Sequence, residues 1–294
     1  MILITGAAGQ LGMDVAAELE KRNIGFIGTD LTESSALQSN HCQKRFSCHI
    51  LDITDAHAVN AFITEKKPKS VIHCAAYTAV DKAEDEPELC NLVNATGTEN
   101  ITKACKAIDA EMIYISTDYV FSGEGEEPYE TDAVKGPVSV YGKSKLAGEE
   151  AVQNHLKKYY IVRISGVFGE YGHNFVKTMQ NLGKSKKEIN VVCDQVGSPT
   201  YTADLAVLLC DMVLSGKYGA YHATNEGFCS WAEFAEEIMK QSRSDCIINP
   251  IPAEQYPTKA TRPKNSRLSK ASLDQAGFNR LSDWKDALGR YLKA

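Results

Sequence analysis

The sequence predicts a doubly wound α/β fold built on a parallel sheet. Three observations carry this. Short apolar runs alternate with longer amphipathic ones through the first 165 residues. The apolar runs are continuous in hydrophobicity, as strands buried on both faces are. A glycine-rich turn joins the first apolar run to the first amphipathic stretch.

Ile2-Leu3-Ile4 reads as a buried strand. Leu11, Val15, Ala16 and Leu19 share one face of a helix from Gln10 to Lys21. Phe26-Ile27-Gly28-Thr29 is a second strand, and residues 31–47 form a long polar loop. Cys48-His49-Ile50-Leu51 is a third strand. The stripe Ala58, Val59, Phe62 and Ile63 marks a helix that Lys67-Pro68 ends. Ser70 to Cys74 is a fourth strand, 86–108 a long helix and Met112 to Ser116 a fifth strand. A helix near 141–157 and the strand Ile161 to Ile164 follow. The last third is less regular. Helices are expected near 174–183, 203–214, 230–241, 270–276 and 283–292, and strands at 190–193, 220–223 and 246–249. Pro250, Pro252, Pro257 and Pro263 break the stretch between them, so this part reads as a smaller, mixed lobe.

The 294 residues are 43% hydrophobic and 24% charged, which excludes a disordered, collagenous or coiled-coil chain. Lys and Arg number 32 against 38 Asp and Glu, a net charge of −6. With no long basic run, neither nucleic acid nor an anionic membrane is the expected partner. No apolar run approaches a secretory or membrane-spanning length, so the expected compartment is the cytoplasm. None of the nine cysteines forms a C-x-x-C pair. They read as buried core filling in a reducing compartment, with no metal site expected.

Thr5-Gly6-Ala7-Ala8-Gly9-Gln10-Leu11-Gly12 sits between a strand and a helix. A dinucleotide pyrophosphate needs backbone amides at close range and the positive end of a helix. Gly6, Gly9, Gln10, Leu11 and Gly12 are therefore candidate cofactor contacts in a Rossmann-type unit. Asp30 ends the second strand, where a carboxylate accepts from both adenine-ribose hydroxyls and repels a 2′-phosphate. The cofactor is NADH or NADPH, and Asp30 favours NADH. Asp52 and Ile53 are placed for the adenine edge, with helix capping the alternative role for Asp52.

Tyr141 and Lys145 are spaced i,i+4 and share a helix face. A phenol titrates near about 10, and a neighbouring ammonium lowers that value. The pair is expected to donate a proton and to hold the nicotinamide ribose. Thr117, at the carboxyl end of the fifth strand, is the candidate partner for a substrate carbonyl, with Ser116 the alternative.

Together with the segments Cys74 to Glu84, Asn94-Ala95, Ser116 to Phe121, Tyr141 to Glu149, Asn174 to Met179, Asp194 to Thr200 and Arg262 to Ser266, these residues make the chain resemble the dTDP-4-dehydrorhamnose reductase branch of the extended short-chain dehydrogenase/reductase family. The resemblance covers residues 1 to about 290. It implies hydride transfer from the nicotinamide to C4 of dTDP-4-dehydro-L-rhamnose, the last step of dTDP-L-rhamnose synthesis. Tyr141 is then the proton donor, Lys145 its modulator and Thr117 the carbonyl holder. Ala75, Ala76 and Tyr77 would face the cofactor. Thr78, Val80, Asp118 and Tyr119 would face the sugar, and Asn174 and Arg262 the nucleotide diphosphate. A helix cap for Asn174 and a surface ion pair for Arg262 are the alternatives. The resemblance places the dinucleotide-binding unit at 1–165 plus roughly 190–226, and the nucleotide-sugar lobe at roughly 166–189 plus 227–294.

Two departures stand out. Most members of the family it resembles carry tryptophan beside the sugar where this chain has Gly166, which opens the pocket wall unless Phe168 or Tyr171 fills it. The 31–47 loop is also longer than the family pattern. Some members bridge subunits with Mg2+, but no carboxylates here map onto that site, and the assembly is a monomer or a homodimer. The alternatives are another nucleotide-sugar enzyme of the family, or a non-catalytic regulatory subunit like the β subunit of methionine adenosyltransferase. The 4,6-dehydratases of the family use Thr-Asp-Glu, where this chain reads Thr117-Asp118-Tyr119.

Overall fold

The apolar runs assemble into one seven-stranded parallel sheet in the computed structural model, which describes residues 1–31, 46 and 48–294. In chain order its first half is β1 (Ile2–Thr5), α1 (Gln10–Lys21), β2 (Phe26–Asp30), β3 (Cys48–Ile50), α2 (Ala56–Lys66), β4 (Ser70–His73), α3 (Val80–Ala83), α4 (Pro87–Asn91), a π-helical segment (Leu92–Gly97), α5 (Thr98–Ala107), β5 (Glu111–Thr117), a 3-10 turn (Asp118–Val120), α6 (Val140–His155) and β6 (Tyr159–Ile164). The second half is β7 (Val167–Phe168), α7 (Phe175–Gly183), β8 (Glu188–Val192), β9 (Val196–Gly197), β10 (Thr200–Tyr201), α8 (Thr202–Val213), β11 (Gly219–His222), β12 (Cys229–Ser230), α9 (Trp231–Gln241), β13 (Ile247–Ile251), a 3-10 turn (Ala253–Gln255), β14 (Asn265–Ser266), α10 (Ala271–Ala276) and α11 (Trp284–Tyr291).

The sheet order is β11-β6-β5-β4-β1-β2-β3. Chain direction across the sheet reverses between β1 and β4, which opens a crevice at their carboxyl ends, where such sheets bind ligands. Leu11, Val15, Ala16 and Leu19 pack with Ile4, Ile72 and Leu205 on one face. Val59, Ile63, Ile101 and Cys105 cover the other with Leu3 and Val71. Burial on both faces is why these strands read as unbroken apolar runs.

Four expectations are corrected. The long helix over 86–108 is not uniform: it passes through the π-helical segment between α4 and α5. The wider turn brings the buried Asn94 inward among polar partners. The boundary near 190 also shifts. β8 pairs with β13 rather than joining the large sheet, and Ile189 and Val191 enter a separate core with Val176, Phe234, Ile238 and Trp284. Its alternating burial, with Ile189 and Val191 in and Glu188 and Asn190 out, belongs to a strand with one covered face. Conversely, Leu273 and Leu281 return to the sheet's own core. Finally, the cysteines are not all core filling: Cys193, just past β8, is exposed, whereas Cys90, Cys105, Cys210, Cys229 and Cys246 are buried. Cys42 and nearly all of the 31–47 loop lie outside the described residues. Among the described residues, no helix is long and apolar enough to cross a membrane.

Candidate active site

The crevice begins at the glycine turn. Gly6 has φ +66°, and a Cβ there would stand 2.6 Å from the Ala75 nitrogen. At Gly12 a Cβ would stand 2.2 Å from the Gly6 carbonyl oxygen, so α1 approaches β1 only without a side chain. The backbone is thus cut to admit a pyrophosphate beside the α1 N-terminus, and the residues fit a dinucleotide. Gly6, Gly9, Asp30, Asp52, Ile53, Ala75 and Ala76 all line this one crevice. Leu11 is turned into the core, which leaves only its backbone to the site.

Asp30 holds the turn as well as facing the crevice. Its Oδ2 accepts from the Ala8 amide at 3.0 Å and its Oδ1 from the Leu31 amide at 2.8 Å. Asp52 accepts from the amide and the hydroxyl of Thr54, each at 2.8 Å. The cap of α2 is instead Asp55, which takes the amides of His57 and Ala58.

Tyr141 and Lys145 lie in the first turns of α6, which Ser139 caps through the Gly142 amide. Helix α6 presses on β5, because Gly148 leaves room for the Tyr114 hydroxyl, and that hydroxyl donates to the Lys145 carbonyl at 3.2 Å. The Lys145 ammonium sits 4.2 Å from the centre of the Tyr114 ring and is 3% exposed. Burial lowers its pKa to about 7, against a smaller upward pull from Glu149.

The expected depression of Tyr141 by Lys145 is not what the surroundings produce. Burial pushes the phenol above its ordinary value, the charge of Asp118 adds to the rise, and the Thr117 hydroxyl pulls it down. Tyr141 therefore stays protonated at neutral pH, the form a proton donor needs. The Tyr119 ring meets it edge-on, 5.5 Å between centres.

Thr117 ends β5, close enough to Tyr141 to pull its pKa down. Its hydroxyl donates to Asp118 Oδ1 at 3.0 Å. Ser116, the alternative, is turned away and donates to Glu149 Oε1 at 2.6 Å. Behind it lies a buried fork. Arg163 donates from Nε and Nη2 to the two Glu149 oxygens at 2.7 Å each, and from Nη1 to the Thr131 carbonyl at 2.8 Å. This fork ties α6 to β6 one turn beyond Lys145.

The residue that joins the crevice to α6 is Asn94, which the resemblance carries as part of Asn94-Ala95 without giving it a role. Asn94 accepts from the Tyr77 amide at 2.8 Å, and its Nδ2 donates to the Tyr77 carbonyl and to Ser144 Oγ at 3.0 Å each. Ser144 in turn donates to the Tyr141 carbonyl at 2.8 Å. An isolated Asn in an amphipathic run was the available signal. The Tyr77 hydroxyl itself donates outward, to Glu86 at 2.8 Å.

The outer site draws on both halves of the chain. Asp118, Tyr119, Gly166, Pro199, Trp231 and Ser266 line a small pocket beyond Tyr141. Gly166 adopts φ +55°, and a Cβ there would point at Pro199 Cα, 3.3 Å away. Phe168 does not fill the missing indole's place, because it is fully buried in the second core. Trp231, not singled out in the sequence, is the aromatic wall instead, and it also lines the adjoining groove that holds Arg262 and Gln195. Arg262 Nη2 donates to Asp81 at 2.7 Å, while its buried Nε has no protein partner. Asn174 caps α7 through the Lys177 amide and donates to Gln10 Oε1 at 3.0 Å and to the Gly169 carbonyl at 2.7 Å. Its amide is thus committed to the protein. Thr78 is exposed and Val80 half-buried at the start of α3. Among the described residues, no group of three or more His, Cys, Asp and Glu side chains is placed to hold a metal ion.

Comparison with known proteins agrees along the whole chain. The RmlD substrate binding domain family matches residues 1–294. The dTDP-4-dehydrorhamnose reductase of Mycolicibacterium smegmatis is 42% identical over 98% of this chain and 83% of its own length. A dTDP-4-dehydrorhamnose reductase structure from Clostridium acetobutylicum superposes with a TM-score of 0.92 at 43% identity, over 99% of this chain and 98% of that one. The Bacillus anthracis enzyme of the same name, solved in complex with NADP, gives 0.91 at 40% identity with the same coverage. The chain belongs to the RmlD substrate binding domain family, the family of the dTDP-4-dehydrorhamnose reductases.

Proposed function

We propose that the protein reduces the 4-keto group of dTDP-4-dehydro-L-rhamnose to give dTDP-L-rhamnose. The observation that carries this reading is the position of Thr117 at the carboxyl end of β5 and of Tyr141 and Lys145 in the first turns of α6, together with a glycine turn too tight for side chains at the α1 N-terminus. When bound, a reduced nicotinamide supplies the hydride. Gly6, Gly9 and the backbone from Gln10 to Gly12 hold the pyrophosphate, and Asp52, Ile53, Ala75 and Ala76 enclose the adenosine end. Asp30, next to the adenine ribose, disfavours a 2′-phosphate, so NADH is used at least as well as NADPH.

Tyr141 gives its proton to the 4-keto oxygen as negative charge develops there, and Thr117 fixes that oxygen in place. Lys145 supports the nicotinamide ribose. Asp118, Tyr119 and Trp231 form the sugar wall. The free Nε of Arg262 is aimed where a diphosphate oxygen completes its hydrogen bonding, a geometry suited to guanidinium. The first unit thus holds the dinucleotide, and residues of both units close on the nucleotide sugar.

The test is oxidation of NADH, and separately of NADPH, followed by absorbance with dTDP-4-dehydro-L-rhamnose as the only acceptor. Turnover dependent on the sugar supports the reading. Failure with both cofactors, on folded protein that binds them, would refute it.

A further inference from the structure

Two arginines of this chain meet their carboxylates in different ways. Arg163 closes a fork on Glu149, with Nε and Nη2 each 2.7 Å from an oxygen of the same carboxylate. Arg262 does not. Its Nη2 donates to Asp81 Oδ2 at 2.7 Å, but Asp81 Oδ1 is taken by the Ala260 amide at 3.1 Å. The Arg262 Nε is left buried with no protein partner. A guanidinium offers Nε and Nη2 as two parallel donors along one edge, and here only one of them is filled. A buried donor without an acceptor is costly, so the edge is built to take one more oxygen.

The half-filled edge is held from both sides. Arg262 lies in the segment 256–264, between the 3-10 turn at Ala253–Gln255 and β14. This segment is tied to α3 through Lys259, which pairs with Asp85, and through Ala260 and Arg262, which both donate to Asp81. Helix α3 is fixed in turn to α6, because Glu84 Oε1 accepts from the Val140 amide at 2.9 Å, one residue before Tyr141. Arg262 itself lines the groove that Gln195, Trp231 and Thr258 also line.

We propose that Asp81 is a positioning residue for the nucleotide sugar: it holds Arg262 half-paired, so that Nε stays free for an oxygen of the diphosphate. The inference rests on the reductase reading above and on the part of Arg262 in it. Asp81 acts through Arg262. Taking Nη2 fixes the guanidinium, and the Ala260 amide keeps the second carboxylate oxygen from closing the fork as Glu149 closes it on Arg163.

The test is calorimetric titration of dTDP into the NADH-loaded protein, for the wild type, Asp81→Asn, Arg262→Gln and the double variant, with steady-state kinetics on dTDP-4-dehydro-L-rhamnose beside it. Asn keeps the shape but has one acceptor oxygen for two donors. The Asp81 side chain is 43% exposed, and retained NADH binding shows that the variant is folded. Asp81→Ser, read the same way, serves where Asp81→Asn does not bind NADH. We expect Asp81→Asn to weaken dTDP binding about tenfold, the loss of one charge-assisted hydrogen bond. KM for the sugar should rise by a like factor while kcat falls by less than about threefold. In the Arg262→Gln background the same change should weaken dTDP by less than about twofold, because the group through which Asp81 acts is already gone. Unchanged dTDP binding in Asp81→Asn overturns the proposal. So does a full effect in the Arg262→Gln background, or a fall in kcat as large as the rise in KM, which would give Asp81 a merely structural role. If the wild type binds no dTDP, the nucleotide-sugar reading and the inference fall together. If the wild type binds dTDP and turns over the sugar but Asp81→Asn matches it, the inference alone falls.

Discussion

Replacing Glu149 by Gln tests whether the site depends on the fork behind it. Glu149 and Arg163 are each 1% exposed, and the guanidinium reaches both carboxylate oxygens at 2.7 Å. Gln keeps one acceptor oxygen for Nε and Ser116 but turns a donor toward Nη2. The Arg163 charge is then buried without a counter-charge. Breaking one side of such a pair costs about 3–5 kcal/mol. At about 2 °C or somewhat more per kcal/mol for a chain of this size, the melting temperature should fall by about 6–15 °C. The same change removes the charge that raises Lys145, so Lys145 becomes neutral at still lower pH. Differential scanning calorimetry checks the first effect. Glu149→Met with Arg163→Met should recover at least half of the loss, because no lone charge remains. A shift under about 2 °C for Glu149→Gln, or a double variant no better than the single one, would refute the reasoning.

Gly12→Ala should abolish NADH binding in a fluorescence titration and cost about 1–3 kcal/mol of stability, since its Cβ would stand 2.2 Å from the Gly6 carbonyl oxygen. Asp30→Ala should raise kcat/KM with NADPH relative to NADH by about tenfold, the effect of roughly 1.4 kcal/mol of removed repulsion, as measured by paired steady-state assays. Lys145→Met should flatten the pH dependence of stability. The folded Lys145 has its pKa lowered from 10.5 to about 7, so between those values the unfolded chain holds more protons and stability rises with pH. Denaturant midpoints from pH 7 to 10 should therefore climb less steeply in the variant. Lys270, lowered to about 8, keeps part of the slope.

What the sequence disclosed and what it withheld divide along physical lines. Helix α1 is legible to the residue because its apolar face, its glycine turn and its neighbours in the sheet are all local. The strands of the large sheet are legible because burial on both faces erases alternation. The π-helical segment is not, because a widened turn leaves the apolar spacing nearly unchanged. The two-residue strands β7, β9, β10, β12 and β14 depend on pairing across the lobes, which no local pattern encodes. At the site, Thr117 ends β5 and Tyr141 and Lys145 lie in the first turns of α6, the positions that strand pattern and i,i+4 spacing imply, while their roles rest on the proposal. The direction of the Tyr141 shift was hidden, because it depends on burial rather than on the neighbouring lysine. Ser266 lies 148 residues from Asp118 and carries no motif of its own. Trp231 reads locally as the start of a helix, and its place in the pocket wall follows from where Ser230 caps that helix.

The central claim is that Tyr141 is the proton donor of a nicotinamide-dependent sugar reduction. Tyr141→Phe keeps the ring in place and removes only the hydroxyl. With dTDP-4-dehydro-L-rhamnose, the account predicts a fall in kcat of about 10²–10⁴-fold, the usual range for a lost general acid, with NADH affinity retained. A variant that turns over at the wild-type rate would contradict it.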